Sequence, residues 1–387
     1  MASGQHVLAT AATLTVNLQN QTSSSTVYAY ITGQAIDNGN RLFLLQSDGR
    51  TPYYPASPAS TGARLAANVS IALGAPGHTV NVTIPHISGG RIWFSVGTPL
   101  TFLLNPGPGL VEPSVTNPSD PNINTNWSFC EFTFNSSELF ANISYVDFVG
   151  LPIALTLTST NIKPQHVSGM PANGIETVCN GLRAQTARDG RRWSSLIVQQ
   201  NGVDLRVLSP NNGIILNPTW FQPYWPPYVA QVYAKYSTSP LTINTQASFG
   251  PVSSTGEPAG QLAFGNAGTF AQPTSRDIFS CSTGPFATGS NAERNVIIPR
   301  LAAAFNRSVL LLTNNTPNSD NQATYYQNPI TNHYARIVHA ANLDGKGYAF
   351  PYDDVTPNGG VAQEGAVVSA SPTLFTVACG GGNAYVG

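Results

Sequence analysis

Two of the chain's 18 acidic residues stand where a carboxylate has no ordinary reason to be. Most of the others lie in turns beside Gly, Pro, Asn or Ser, where water solvates them. Glu131 instead sits in Trp127-Ser128-Phe129-Cys130-Glu131-Phe132-Thr133-Phe134, and Asp147 in Ile143-Ser144-Tyr145-Val146-Asp147-Phe148-Val149. A carboxylate in an apolar strand is costly to bury and needs a partner or a task. Side chains alternate along a strand. Glu131 therefore shares a face with Phe129, Thr133 and Asn135, while Ser128, Cys130, Phe132 and Phe134 take the other. Tyr145 and Asp147 share a face in the same way. Only residues 136–142 separate the two segments, so neighbouring antiparallel strands are expected. Two carboxylates on one groove suit the hydrolysis of a glycosidic bond: one protonated to assist the leaving oxygen, the other ionised to activate water or attack the sugar. The competing reading is structural, each acid accepting hydrogen bonds from the polar stripe or from an Arg.

The spacing of the pair depends on register. A symmetric hairpin would set Asn135 opposite Ile143, Thr133 opposite Tyr145 and Glu131 opposite Asp147. Opposed β carbons lie about 4.5–5.5 Å apart, close to the roughly 5–5.5 Å of a retaining pair. A two-residue offset keeps both acids on one face and moves them to diagonal positions about 7–8 Å apart. That leaves room for the water an inverting enzyme needs.

Other chemistries lack their residues. The chain contains no G-x-S-x-G, no H-E-x-x-H, no P-loop and no dinucleotide fingerprint. His333 and His339 have no metal-ligand spacing, so neither metal nor cofactor is expected. Cys130, Cys179, Cys281 and Cys379 are far apart and form no C-x-x-C pair. An even count in such a chain suggests two disulfides, with three connectivities open.

Composition narrows the partner. Only 9% of the residues are charged and the net charge is −1, against roughly a quarter charged in an ordinary soluble protein. Without a cationic field, nucleic acid and anionic membrane surfaces are poor partners. No apolar run approaches a membrane span. Neutral polar residues with 10% aromatics suit a neutral polymer offering hydroxyls and flat apolar faces. Eight Asn-x-Ser/Thr sequons, at Asn20, Asn68, Asn81, Asn126, Asn135, Asn142, Asn306 and Asn314, are weak evidence for glycosylation, since chance alone would supply about six. The start, Met-Ala-Ser-Gly-Gln-His, has no basic n-region and no apolar h-region. A secreted protein whose leader has been removed is the preferred reading over a cytosolic one.

The elements that must position the acids are mostly strands. Segments 12–18, 27–32, 42–46, 80–84, 91–96, 127–134, 144–149 and 153–158 are short and β-branched or aromatic. Turn sequences such as Asp37-Asn38-Gly39, Ser47-Asp48-Gly49 and Asn105-Pro106-Gly107-Pro108-Gly109 punctuate them. Residues 1–165 thus read as an antiparallel β-sandwich or barrel carrying both acids. Residues 166–329 read as a smaller mixed α/β domain. Ile175, Val178, Cys179 and Leu182 predict one helix ending near Asp189-Gly190, residues 226–236 a second, and Ile297, Ile298, Leu301 and Phe305 a third. Strands are expected at 196–199 and 204–208 between them. From 330 to 387, residues 334–339 and 373–377 read as strands returning to the first domain.

The run Trp127-x-Phe129-Cys130-Glu131-Phe132-Thr133-Phe134-Asn135, then Tyr145-Val146-Asp147-Phe148-Val149-Gly150-Leu151-Pro152, resembles glycoside hydrolase family 64, the laminaripentaose-producing β-1,3-glucanases. The similarity extends through Asn105–Ser114 and through Gly347-Tyr348-Ala349-Phe350-Pro351-Tyr352-Asp353-Asp354-Val355. The resemblance implies a thaumatin-like β domain packed on a smaller α/β domain, with a wide groove between. It implies endo-type, inverting hydrolysis of β-1,3-glucan to short oligosaccharides such as laminaripentaose, with Glu131 as general acid and Asp147 as general base. Thr133 and Asn135 would hold sugar. Phe140 stands nearest to where family members often carry Trp, and Tyr145 shares the face of Asp147. Asp353 and Asp354 match an acidic stretch of the cleft. A monomer is expected, with glucan as its partner. The alternative is a thaumatin-like glucan-binding protein without hydrolysis, whose mark would be loss of either carboxylate. A purely structural extracellular sandwich fits poorly with a polar stripe carrying two acids.

Overall fold

A computed structural model of the chain describes residues 10–257 and 259–381. The reading of the Met1–His6 start lies outside the described residues. In the strand Thr13–Asn20, Leu14, Val16 and Leu18 point inward while Thr13 and Thr15 are exposed, the period-two pattern of a sheet with one buried face. It pairs antiparallel with Thr79–Pro85 and parallel with Pro372–Cys379. Ile153–Ser159 and Ile162–Val167 complete this five-stranded sheet. Pro372–Cys379 therefore lies between Thr13–Asn20 and Ile153–Ser159.

A second, larger sheet carries the candidate acids. Among the described residues it runs in the order Ala366–Ser369, Leu139–Asn142, Asn126–Phe134, Ile87–Val96, Val27–Ala35, Arg41–Leu45 and Pro52–Tyr53. Its neighbours are antiparallel throughout. Register shifts at Thr32/Gln34 and at Phe132/Phe134 fall on strands that flank Ile87–Val96. Such bulges bend a strand and sharpen its twist. Gly90 makes the close packing here possible, since a β carbon on it would meet the Phe132 ring at 2.5 Å.

The α-helices of the described residues fall between residues 174 and 341, with short strands among them. Gly174–Asp189 buries Val178, Cys179 and Leu182 and stops at Gly190, whose φ of 68° is left-handed. Pro226–Tyr236 starts on two prolines, where missing N–H groups cost nothing. Ala292–Asn306 includes Pro299 within its length. The short strand Phe148–Val149 pairs with Val203–Leu208 and ties this region to the sheets. One apolar cluster runs from the sheet residues Val16, Phe94 and Trp127 through Phe148 and Val207 to Trp193 and Tyr334.

Three expectations are corrected. Residues 334–339 are not a strand but most of the helix His333–Ala341, capped by Asn332, whose side chain accepts from the Ala335 N–H. Tyr334, Ile337, Val338 and Ala341 are buried at helical spacing; their β-branched and aromatic types masked that period. Residues 144–149 are not a continuous strand either: Ser144 makes an isolated bridge to Tyr348, and only Phe148–Val149 is paired further on. The four cysteines form no disulfide; all are free and buried. Each is built into a different element. Cys130 and Cys379 lie in different sheets, Cys179 is on a helix, and Cys281 caps Ser275–Ser280 with its thiol donating to the Ile278 carbonyl. Burial pushes all four thiols above their ordinary range, as expected of cysteines acting as small apolar residues. Burial also removes three sequons from consideration, since Asn20, Asn142 and Asn306 are enclosed. Among the described residues, no helix is long and apolar enough to cross a membrane.

Candidate active site

Asn126–Phe134 lies between Ile87–Val96 and Leu139–Asn142, and this fixes what surrounds Glu131. Across one edge it faces Arg91, across the other Asn142; Thr133 faces Phe140. The connection at 136–142 is thus not a plain loop. Asn135 Oδ1 accepts from the Ser137 and Glu138 N–H groups, the turn is tight, and Leu139 already pairs with Phe134. Neither the hairpin that would have set Glu131 opposite Asp147 nor the expected two-residue offset between neighbouring strands forms, since Asp147 lies on no strand paired with Asn126–Phe134.

A groove of about 770 Å³ opens over this part of the sheet. Gly89, Gly90, Arg91, Glu131, Thr133, Phe140 and Asn142 line it from the sheet, Tyr348, Asp354 and Glu364 from a later segment, and Glu112 from the loop after Gly109–Val111. The groove lining holds one cation, Arg91, against the acids Glu112, Glu131, Asp354 and Glu364. Arg91 Nε and Nη2 donate to the same oxygen, Glu131 Oε1, at 3.3 and 3.2 Å. Its Nη1 donates to Glu112 Oε2. The guanidinium lies 4.9 Å from the Phe129 ring centre and 5.5 Å from that of Trp93, which holds it flat against the sheet. Burial raises the Glu112 carboxyl above its ordinary range against the pull of Arg91, and the charge of Glu131 raises it further.

On the far wall the Tyr348 hydroxyl donates to Asp354 at 3.2 Å. Burial, then the Asp354 charge, pushes that hydroxyl up. Glu364 Oε2 is buried with no protein partner among the described residues, and burial raises this carboxyl as well.

Asp147 sits in an exposed bend. Its carbonyl accepts from the Ser209 N–H and from Asn212 Nδ2, each at 2.9 Å, so the start of the helix Pro210–Leu216 anchors its backbone. The side chain lines a second recess of about 300 Å³ with Trp127, Phe129 and Asn212. Arg91 and Glu112 line both recesses.

The remaining residues expected at the site divide. Thr133, Phe140 and Asp354 line the groove. Asn135 does not; its side-chain oxygen is used by its own turn. Tyr145 is corrected from a sugar contact to a buried support: its hydroxyl donates to Asn342, and its ring packs on Gly347. Asp353 is corrected too. It is wholly buried, paired with Arg307 Nη2 at 3.0 Å and His339 Nε2 at 2.9 Å, and accepts from the Ala349 N–H. Burial alone would raise its carboxyl, but His339 and Arg307 hold it below the ordinary range. It braces the segment on which Tyr348 and Asp354 stand. Arg91, Glu112, Asn142, Tyr348 and Glu364 were not singled out from sequence. Arg91 had a signal, a lone cation at the head of an apolar strand; the others depend on register or on a distant loop.

Comparison with known proteins agrees over most of the chain. The family model for glycoside hydrolase 64, described as β-1,3-glucanase, matches residues 12–379. The glucan endo-1,3-β-glucosidase of Cellulosimicrobium cellulans is 27% identical over 294 residues, covering 74% of this chain and 52% of that protein. That of Arthrobacter sp. strain YCWD3 gives the same identity and coverage. The chain therefore spans about half the length of the curated relatives it matches. A solved structure described as a laminaripentaose-producing β-1,3-glucanase in complex with laminaritetraose superposes with a TM-score of 0.83. It is 30% identical, over 95% of this chain and 98% of that one. A β-1,3-glucanase domain from Clostridium beijerinckii, 21% identical with a TM-score of 0.74 over 96% and 99% of the two chains, shares the fold.

Proposed function

Because the chain belongs to the glycoside hydrolase 64 family of β-1,3-glucanases, we propose that it hydrolyses β-1,3-glucan in the groove above Glu131, with inversion at the anomeric carbon. One observation carries this reading: Glu131 and Asp147 open into adjoining recesses with Arg91 and Glu112 common to both. Glu131 delivers its proton to the glycosidic oxygen as the bond to C1 breaks. Asp147 takes a proton from a water whose oxygen attacks C1 from the opposite face, leaving a hemiacetal of inverted configuration. Asp147 shares its recess with Phe129, two residues before Glu131. An inverting pair needs its carboxyls roughly 6.5–9.5 Å apart to admit that water.

Thr133 and Asp354 offer hydrogen-bonding groups to sugar hydroxyls, and Phe140, 38% exposed, offers an apolar face. Short laminari-oligosaccharides, with laminaripentaose among them, are the proposed products, in line with the relative described as laminaripentaose-producing. In this reading the two large sheets, with the strands returning after residue 366, form the thaumatin-like domain and residues 166–329 the smaller α/β one. The protein works as a monomer outside the cell, where an insoluble polymer can reach it.

Incubation with linear β-1,3-glucan, followed by chromatography of the soluble fraction, tests the activity. Release of short oligosaccharides from laminarin or curdlan, and none from a β-1,4-glucan, is the expected result. Tight binding to curdlan with no soluble product would instead assign the groove to glucan binding without hydrolysis.

A further inference from the structure

We propose that Glu112 is a positioning residue: by engaging the far side of Arg91 it leaves Glu131 able to carry the proton that cleavage requires. The inference rests on the reading of Glu131 as general acid. A guanidinium bonded to a general acid is a liability, since a nearby opposite charge favours the ionised carboxylate and lowers its pKa, commonly by about 1–3 units. Arg91 stands in that position, with Nε and Nη2 both on Glu131 Oε1.

Two features of the geometry offset it. The first is charge balance. Arg91 is shared between Glu131 and Glu112. With every group ionised the three sum to −1; with one proton retained they sum to zero. The other groups facing Glu131 only strengthen this. Asp354 and Glu364 lie across the groove with Tyr348, Asp147 lies in the adjoining recess, and Asn142 on the neighbouring strand is neutral. The second feature is direction. Both contacts from Arg91 reach Oε1 at 3.2–3.3 Å, longer than usual for charge-assisted bonds, and Oε2 takes none from Arg91. A proton can therefore sit on Oε2 while Oε1 keeps its hold on the guanidinium. Burial raises the Glu112 carboxyl, and Glu112 opposes Arg91 only while it is ionised.

The test is the pH dependence of kcat/KM on linear laminari-oligosaccharides for Glu112→Gln and Arg91→Gln, each checked for folding by thermal unfolding. With Glu112→Gln, Arg91 is unopposed, and the alkaline limb is expected to move down by about one pH unit with KM little changed. With Arg91→Gln the limb is expected to move up. A merely structural role would not shift the two variants in opposite directions. If Glu112→Gln does not fold, Glu112→Asp, which withdraws the carboxylate but keeps its charge, is read instead and should give a partial downward shift. An unmoved limb in the folded Glu112 variant overturns the inference, as does a raised KM with an unchanged profile, which would make Glu112 a sugar contact. Glu131→Gln measured alongside separates the two levels. If it retains more than a tenth of wild-type activity, the general-acid reading has failed; if it is inactive and the limb is unmoved, only the role of Glu112 has.

Discussion

Replacing Glu131 by Gln is expected to lower kcat by about 10²–10⁴-fold, the usual worth of general-acid assistance, while binding of laminari-oligosaccharides persists. The amide keeps the shape of the side chain and can still accept from Arg91 through its oxygen, but it has no acidic proton for the leaving oxygen. The strand around it should hold. Glu131 is partly exposed, and its neighbours Cys130, Phe132 and Phe134 supply the buried contacts. Arg91 also keeps Glu112 as a partner. Isothermal titration with a non-hydrolysed fragment, together with single-turnover kinetics, separates binding from chemistry. A variant retaining more than a tenth of wild-type kcat would remove Glu131 from the role.

A second large effect is expected one residue away from the groove, on stability rather than on rate. Asp353→Asn leaves the Arg307 guanidinium, 1% exposed, without its carboxylate. Breaking a buried pair by removing one partner costs about 3–5 kcal/mol, a large part of the stability of an ordinary domain. The neighbouring Asp354→Asn, on an exposed side chain, should change stability by no more than about 0.5 kcal/mol and act on KM instead. Denaturant unfolding of the two variants shows the contrast. The wild-type pH dependence follows from the same group. Asp353 is held below its unfolded value, near 3.9, so its contribution is fully present above that pH and is lost on acidification through the lower folded value. If Asp353→Asn were as stable as wild type but bound glucan poorly, Asp353 would belong to the groove after all.

What sequence could and could not reveal follows from the range of each physical rule. Alternation along a strand is local, so the shared face of Glu131 and Thr133 did not depend on the rest of the fold, whereas Asp354, in a turn, was named only through the family resemblance. Register is not local. Residues 136–142 read as a connection, but Asn135 closes a tight turn with its own side chain and the chain resumes as a strand at Leu139. That moves Asn142 to the position opposite Glu131 and sends Asp147 on to a bend held by Asn212, 65 residues later. Tyr145 and Asp353 fail as groove residues for a related reason. Each has a polar group whose partner, Asn342 for one and Arg307 for the other, comes from a distant segment. The helix His333–Ala341 was hidden by residues that favour strands, although Asn332 supplied a cap signal ahead of it. The cysteines show how little an even count means when each thiol is enclosed by its own element.

Inversion by the pair Glu131 and Asp147 is tested most directly by the anomer first released. Proton NMR of fresh products from a linear β-1,3-glucan oligosaccharide, recorded before mutarotation, should show the α anomer at the new reducing end. Attack by water held on Asp147 produces that configuration. The β anomer appearing first, or a glycosyl ester trapped on Asp147, would make Asp147 a nucleophile and contradict its assignment as general base.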